Sequence, residues 1–371
     1  MGKGQLRAFA AIAPGLEMAL LGELKQLGLR GKVEPGGVAF TTNFEGLVTV
    51  NLFSRLAGRV TVEVATVKAN SLAALARGVQ GQPWKKFIWP GQPVDVRATL
   101  VRAKLPGRSA VANKVSLAIK DALRGPRLPG PRPPKEAARV TVFVDKDRAR
   151  VSIDASGELL HRRGWRQATA KAPIRENYAA AILRLAEWVP GETLLDPMCG
   201  SGTFCIEAAT IALGHAPGAK RSFALERWPS ADAGVLRSLR DEAKNEPPLD
   251  EDGAFFCSDR DAGAIKATRA NAKRAGVSAS LTIEQTSFGK LTPPTPAGLL
   301  VANPPYGERV DGGKTDWAAF ARIVRDVWSG WRVALVVPPN AKRAMAFLGL
   351  EEVASFQTGG IPVRVLVGES E

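Results

Sequence analysis

Cysteine, histidine and tyrosine are scarce in this 371-residue chain, with three, two and two copies. The cysteines, Cys199, Cys205 and Cys257, form no Cys-x-x-Cys pair. That spacing indicates neither a zinc ribbon nor a disulfide framework, and a reducing, cytoplasmic protein with no metal is the expectation. Cys199 and Cys205 read as small packing residues rather than nucleophiles. The two histidines, His161 and His215, read as structural. No apolar run approaches the ~18 residues of a membrane span, and the opening MGKGQLRAFA lacks the apolar core of a signal peptide. In DPMCGSGT (196–203) no Gly-Lys-Ser/Thr follows the glycines, so that loop is not a Walker A phosphate cradle.

What is abundant is positive charge, and it is lopsided. The formal net charge is +15; residues 1–170 hold 28 Lys+Arg against 12 Asp+Glu, whereas 171–371 hold 23 against 24. Residues 85–139 alone carry 13 basic and 3 acidic side chains. One half is therefore an electrostatic footprint for a polyanion, nucleic acid above all, and the other half is neutral. With 45% hydrophobic residues the chain can fill two or three domain cores.

The front half mixes short strands and helices. VTVEVATV (60–67), PVDVRATLV (93–101), ARVTVFVDKD and RARVSIDAS read as strands, and SLAALARGV (71–79) and ANKVSLAIKDAL (112–123) as helices. The Pro/Arg-rich GPRLPGPRPPKEA reads as a basic excursion. Trp84 and Trp89 flank Lys85-Lys86, which suits stacking on unpaired bases or ordinary packing equally. From about residue 186 strands alternate with helical stretches: ETLLDPM, AFFCSD, SLTIEQT, GLLVANPP and WRVALVVPP. EEVASFQT and IPVRVLVGE follow, joined by Gly359-Gly360 as a hairpin. This pattern predicts an open, mostly parallel α/β sheet with one antiparallel strand, which binds ligands beyond its carboxyl strand ends.

Two motifs fall at such ends. In DPMCGSGTFCIEAATIAL (196–213) the glycines let backbone approach a ligand, the helix start favours an anion such as a carboxylate, and Asp196 can hold an ammonium or an amide. CSDRD (257–261) ends the next strand, where a carboxylate suits ribose hydroxyls; Asp259, nearer the strand end, is preferred to Asp261. Its distance from the glycine loop is too long for a NAD fingerprint, and an insertion at roughly 214–252 accounts for the excess. The second motif is NPPYGER, where Asn303 and two prolines stop the apolar run 299–302.

Together, DPMCGSGT, SDRD and NPPYGER resemble class I S-adenosylmethionine-dependent methyltransferases that act on exocyclic amines of bases. HRRGWRQATAKAPIRENYAAAIL (161–183) is similar to the segment that joins a THUMP domain to such a catalytic domain. Nearly the whole chain resembles the bacterial 23S rRNA N2-guanine methyltransferases. The resemblance implies a ferredoxin-like region at 1–58, a THUMP-like RNA-binding domain at 59–160, a connector at 161–185 and a Rossmann-like, seven-stranded catalytic domain at 186–371. It further implies that Asp196, Gly200, Gly202 and Thr203 wrap the methionine end of S-adenosylmethionine. Asp259 would hold the ribose, and Pro173 would lie near the cofactor. Ser287 stands where the family commonly has an acid that contacts the adenine, and its hydroxyl can accept the same hydrogen bond.

An aromatic amine is a poor nucleophile because its lone pair is delocalised. The Asn303 side-chain oxygen and the Pro304 carbonyl can take its two hydrogens, Pro304 and Pro305 hold these groups still, and Tyr306 can stack on a flipped base. The expected reaction is methylation of guanine N2 in 23S rRNA by a monomer. Guanine N2 in tRNA, adenine in DNA, a protein glutamine and a catalytically idle RNA-binding assembly factor are the alternatives.

Overall fold

The computed structural model describes residues 4–124, 133–167, 174–250, 253–305 and 316–370. The front half follows the order β1 (Leu6–Ala11), α1 (Glu17–Gln26), β2 (Gly31–Glu34), β3 (Gly37–Thr42), α2 (Phe44–Phe53) and β4 (Arg59–Lys68). It continues with α3 (Leu72–Gln80), β5 (Val94–Val101), α4 (Arg108–Ala122), β6 (Ala138–Asp145) and β7 (Arg148–Asp154). Apolar residues alternate along these strands, so Val60, Val62, Val140, Val142, Val144 and Val151 turn to one buried face. Side-chain caps start the helices: Asn43 Oδ1 accepts from Gly46 N at 2.9 Å and Ser71 Oγ from Ala74 N at 3.1 Å. Helix α4 begins a turn before the expected residue 112, directly after Gly107 at φ 140°.

All seven front strands form one sheet in the order β2-β3-β1-β4-β7-β6-β5. The ten-residue β4 makes it continuous. Its first half pairs with β1 on one side, and β7 runs along the other. Pairing is antiparallel except between β5 and β6.

The second half comprises α5 (Glu176–Leu185), β8 (Leu194–Asp196), α6 (Thr203–Ala212), α7 (Ala233–Asn245), β9 (Phe255–Asp259) and α8 (Ala262–Ala275). Then come β10 (Leu281–Gln285), β11 (Leu299–Ala302), α9 (Trp317–Val327), β12 (Arg332–Val337), β13 (Glu351–Thr358) and β14 (Ile361–Glu369). The sheet order is β10-β9-β8-β11-β12-β14-β13, parallel throughout except for β14, which runs against both its neighbours. Gly359 and Gly360, at φ 57° and 84°, form the expected tight hairpin. Every residue of β11 is at most marginally exposed, because both sheet faces are covered. The chain runs outward from β8 to β10 on one side and resumes at β11 on the other. The carboxyl ends of β8 and β11 therefore flank the switch point.

The two halves pack directly. The insertion before β9 donates Gly218 N to Leu52 O at 2.9 Å, Leu225 N to Ala155 O at 2.9 Å and Ser230 N to Lys86 O at 3.1 Å. Trp89 closes the same seam, its Nε1 donating to Arg227 O at 2.8 Å, while Trp84 is fully buried with Nε1 on Val79 O. Trp84 is thus a core residue, whereas Trp89 is half-buried at the seam. Among the described residues no helix is long and apolar enough to cross a membrane.

Candidate active site at the switch point

After β8 the chain turns into α6 through a loop that is pinned from beneath. Gly200, at φ 55°, donates its N–H to Asp259 Oδ2 at 3.0 Å, and its carbonyl accepts from Thr268 Oγ1 at 2.9 Å. Ser201 O accepts from Asn271 Nδ2 at 3.0 Å, and Gly202 N donates to Cys199 O at 2.7 Å. Gly202 sits at φ 82°, and a Cβ there would fall 2.7 Å from the Thr268 methyl. Glycine is thus required twice, by conformation and by the close approach of α8. Among the described residues no side chain caps α6. Its first-turn amides remain available to an anion, with the positive end of the helix dipole behind them.

Asp196 ends β8 and is 2% exposed, with Oδ1 accepting from Met198 N at 3.1 Å. Among the described residues no cation pairs with it. Burial pushes its carboxyl well above the usual carboxylate range; the Met198 N–H pulls the other way, and the Asp259 charge adds to the rise. Such a group is poised to receive an ammonium or other N–H donor, which would supply the charge compensation it lacks. Asp259 ends the neighbouring strand, its Oδ1 accepting from Asp261 N at 2.9 Å. Asp261 itself caps α8 by accepting from Gly263 N and Ala264 N. Asp259 is therefore the carboxylate at the strand end. Thr286 N donates to Asp259 O at 3.1 Å, which sets the half-buried Ser287 beside that end.

Across the switch point, β11 stops at Ala302 and Asn303 follows. The Asn303 Oδ1 atom is buried and, among the described residues, has no hydrogen-bond partner. An unmatched buried amide oxygen costs about 1–3 kcal/mol, so the protein maintains here an acceptor in search of a donor. Pro304 is buried next to it and Pro305 half-buried. Tyr306 and Pro173 lie outside the described residues.

The loop and α6 also depend on Arg166, Glu176, Arg55, Arg163 and Glu207, which the motifs did not single out. Thr203, the first residue of α6, is 3% exposed, and its Oγ1 accepts from Arg166 Nη2 at 2.9 Å. The same Arg166 nitrogen donates to Ile174 O at 2.8 Å, and Arg166 Nε lies 3.0 Å from Glu176 Oε1. One turn further along α6, Glu207 is fully buried between Arg55 at 3.6 Å and Arg163 at 3.5 Å. The run HRRGWR had the arginines, but their partners lie far away in sequence. His161, in that run, is pushed down to about 3 by burial and by Arg175, Arg163, Arg162 and Arg166, and is neutral at physiological pH. Cys199 and Cys205 are buried, and burial pushes both thiols well above the usual range, as packing residues require.

The donor and acceptor set suits a zwitterionic amino acid joined to a ribonucleoside. An uncapped helix start and the Thr203 hydroxyl can meet a carboxylate, Asp196 an ammonium, and Asp259 vicinal hydroxyls. Comparisons with known proteins bear on the cofactor class and the family. Residues 7–61 match the RlmL ferredoxin-like domain. Over 100% of this chain and 99% of the other, the fold matches SMU.472, assigned as a methyltransferase and solved in complex with SAH, at 29% identity and TM-score 0.90. A predicted N6-adenine-specific DNA methylase from Listeria monocytogenes matches at 28% identity and TM-score 0.87, over 98% of this chain and 96% of that one. TrmN from Thermus thermophilus shares the fold at 24% identity and TM-score 0.69, over 99% and 100% of the two chains. Residues 163–356, more than half of the sequence, match the UPF0020 family, described as an RMKL-like methyltransferase domain, and the chain belongs to that family.

Proposed function

We propose that this methyltransferase transfers a methyl group from S-adenosylmethionine to the exocyclic amine of an RNA base, guanine N2 in 23S rRNA being the target. The observation that carries the reading is Asn303 Oδ1, buried at the end of β11 and without a hydrogen-bond partner among the described residues. The carboxyl end of β11, which Asn303 follows, neighbours that of β8, where the Asp196–Thr203 loop begins. Asp196, Gly200, Gly202 and Thr203 would hold the amino-acid end of the cofactor, Asp259 the ribose, Ser287 the adenine, and Pro173 would lie alongside. When bound, the cofactor supplies an electrophilic methyl group on a sulfonium.

The chain's own residues do the rest. Asn303 Oδ1 and the Pro304 carbonyl accept the two amine hydrogens, which directs the nitrogen lone pair outward. The prolines fix these acceptors, so little reorganisation remains for the reaction, and Tyr306 stacks on the extruded base. His161 would be a poor proton acceptor, because burial and the surrounding arginines push it down to about 3. The charged front half, 1–58 with 59–160 as a THUMP-like domain, binds RNA through phosphates, and 161–185 connects it to the catalytic domain at 186–371.

The relative described as an adenine-specific DNA methylase makes adenine N6 the second reading. The Asn303 arrangement accepts hydrogens from either amine. Mass spectrometry of nucleosides from ribosomal RNA, transfer RNA and DNA, with and without the gene, separates the readings. Loss of N2-methylguanosine from 23S rRNA supports the first, and loss of N6-methyladenine from DNA replaces it with the second.

A further inference from the structure

We infer that Arg166 is a positioning residue for the cofactor's carboxylate, acting through the hydroxyl of Thr203. This inference rests on the methyltransferase reading above.

A threonine hydroxyl has one hydrogen to give and can accept others. At the start of α6, Thr203 Oγ1 accepts from the Arg166 guanidinium at 2.9 Å. With its lone pair engaged by a cation, the hydroxyl's hydrogen is left to be donated elsewhere. The uncapped first turn of α6 is where an anion would receive it. Arg166 is itself fixed. Glu176 Oε1 forms an ion pair with it, 3.0 Å from Nε, Ile174 O accepts from Nη2 at 2.8 Å, and the guanidinium lies 5.4 Å from the Trp165 ring centroid. Its side chain is 11% exposed and that of Glu176 5%, so neither swings freely.

The Glu176-neutralised guanidinium therefore acts on a ligand through one contact: it orients the Thr203 hydroxyl as a donor. That favours a ligand that carries a carboxylate there. A nucleoside without the amino-acid arm gains nothing from it.

Calorimetry with two ligands tests this: S-adenosylhomocysteine, which has the arm, and 5′-methylthioadenosine, which lacks it. Thr203→Val removes the acceptor but leaves the Arg166–Glu176 pair in place. It should weaken S-adenosylhomocysteine about tenfold or more, since charge-assisted hydrogen bonds are the strong ones, and change 5′-methylthioadenosine less than about twofold. Arg166→Gln should show the same selectivity, and Arg166→Lys, which keeps a charged donor, should recover part of the loss. The double variant Arg166→Gln/Thr203→Val should bind S-adenosylhomocysteine about as well as the weaker single variant, because both act through one contact. Equal losses for both ligands in the Thr203→Val and Arg166→Lys proteins, or additive losses in the double variant, would overturn the inference alone. Failure of the unmodified protein to bind either ligand would overturn the methyltransferase reading as well.

Discussion

Arg55, from the front half, and Glu207, on α6 of the catalytic half, lie 3.6 Å apart in the interior. Arg55 also donates to Thr210 Oγ1 at 3.1 Å, to Thr210 O at 2.9 Å and to His215 O at 2.6 Å. The helix that opens with the glycine loop is thereby gripped from outside its own domain. Glu23 completes the junction, accepting Ser54 Oγ at 2.5 Å and Arg55 N at 2.8 Å.

Removing Glu207 should therefore destabilise the whole chain. Glu207→Ala leaves two buried guanidiniums without their shared anion, and breaking a buried pair typically costs about 3–5 kcal/mol. The urea midpoint should fall with no change of slope. A shift below about 0.5 kcal/mol would mean that solvent reaches Arg55 and Arg163 and that the junction is loose.

A pH dependence follows from Asp196. Burial raises its folded pKa above the ordinary 3.8, so the ligand-free fold binds more protons than the unfolded chain, and its stability falls as pH rises above that ordinary value. A ligand ammonium stabilises the charged carboxylate, so binding should release a proton below the raised pKa. Affinity for S-adenosylhomocysteine should climb with pH and level off once Asp196 is ionised in the free protein. Asp196→Asn should abolish the climb, weaken binding and raise the melting temperature of the ligand-free protein. Calorimetry in two buffers of different ionisation enthalpy reads the proton release directly, and a pH-independent affinity would contradict the assignment.

The division of labour between the halves is testable in the full chain. Lys114, Lys120 and Arg124 lie on or just beyond α4, in the basic region 85–139. Changing each to Gln should weaken RNA binding and make the slope of log K against log salt shallower by roughly one per lost phosphate contact. Affinity for S-adenosylhomocysteine should not move. An unchanged salt slope in the triple variant would place the RNA elsewhere.

Much of the catalytic half was legible because its signals are local. Apolar runs ending in Asp196, Asp259 and Asn303 announce strand ends, and glycines and prolines mark where the chain must turn. Gly202 illustrates what local reading leaves out: its second constraint, the Thr268 methyl 2.7 Å from an imagined Cβ, comes from a helix more than sixty residues away. The continuity of the front sheet was hidden for the same reason, since β1 and β4 pair through tertiary contact and no periodicity records it. The arginine network was likewise invisible. HRRGWR shows the charge, but Glu176 and Glu207 become its partners only once α5 and α6 pack.

The proposed chemistry at the switch point turns on Asn303. Asn303→Ala removes an acceptor for the target amine while leaving the glycine loop and the basic front half untouched. A single-turnover assay of methyl transfer to purified 23S rRNA, run with saturating enzyme, separates chemistry from binding. The rate should drop by about 10²–10³, as for loss of one preorganised polar contact, with RNA and S-adenosylhomocysteine affinities nearly unchanged. A near-normal single-turnover rate would show that Asn303 merely stops a strand, and the proposed chemistry at the switch point would be wrong.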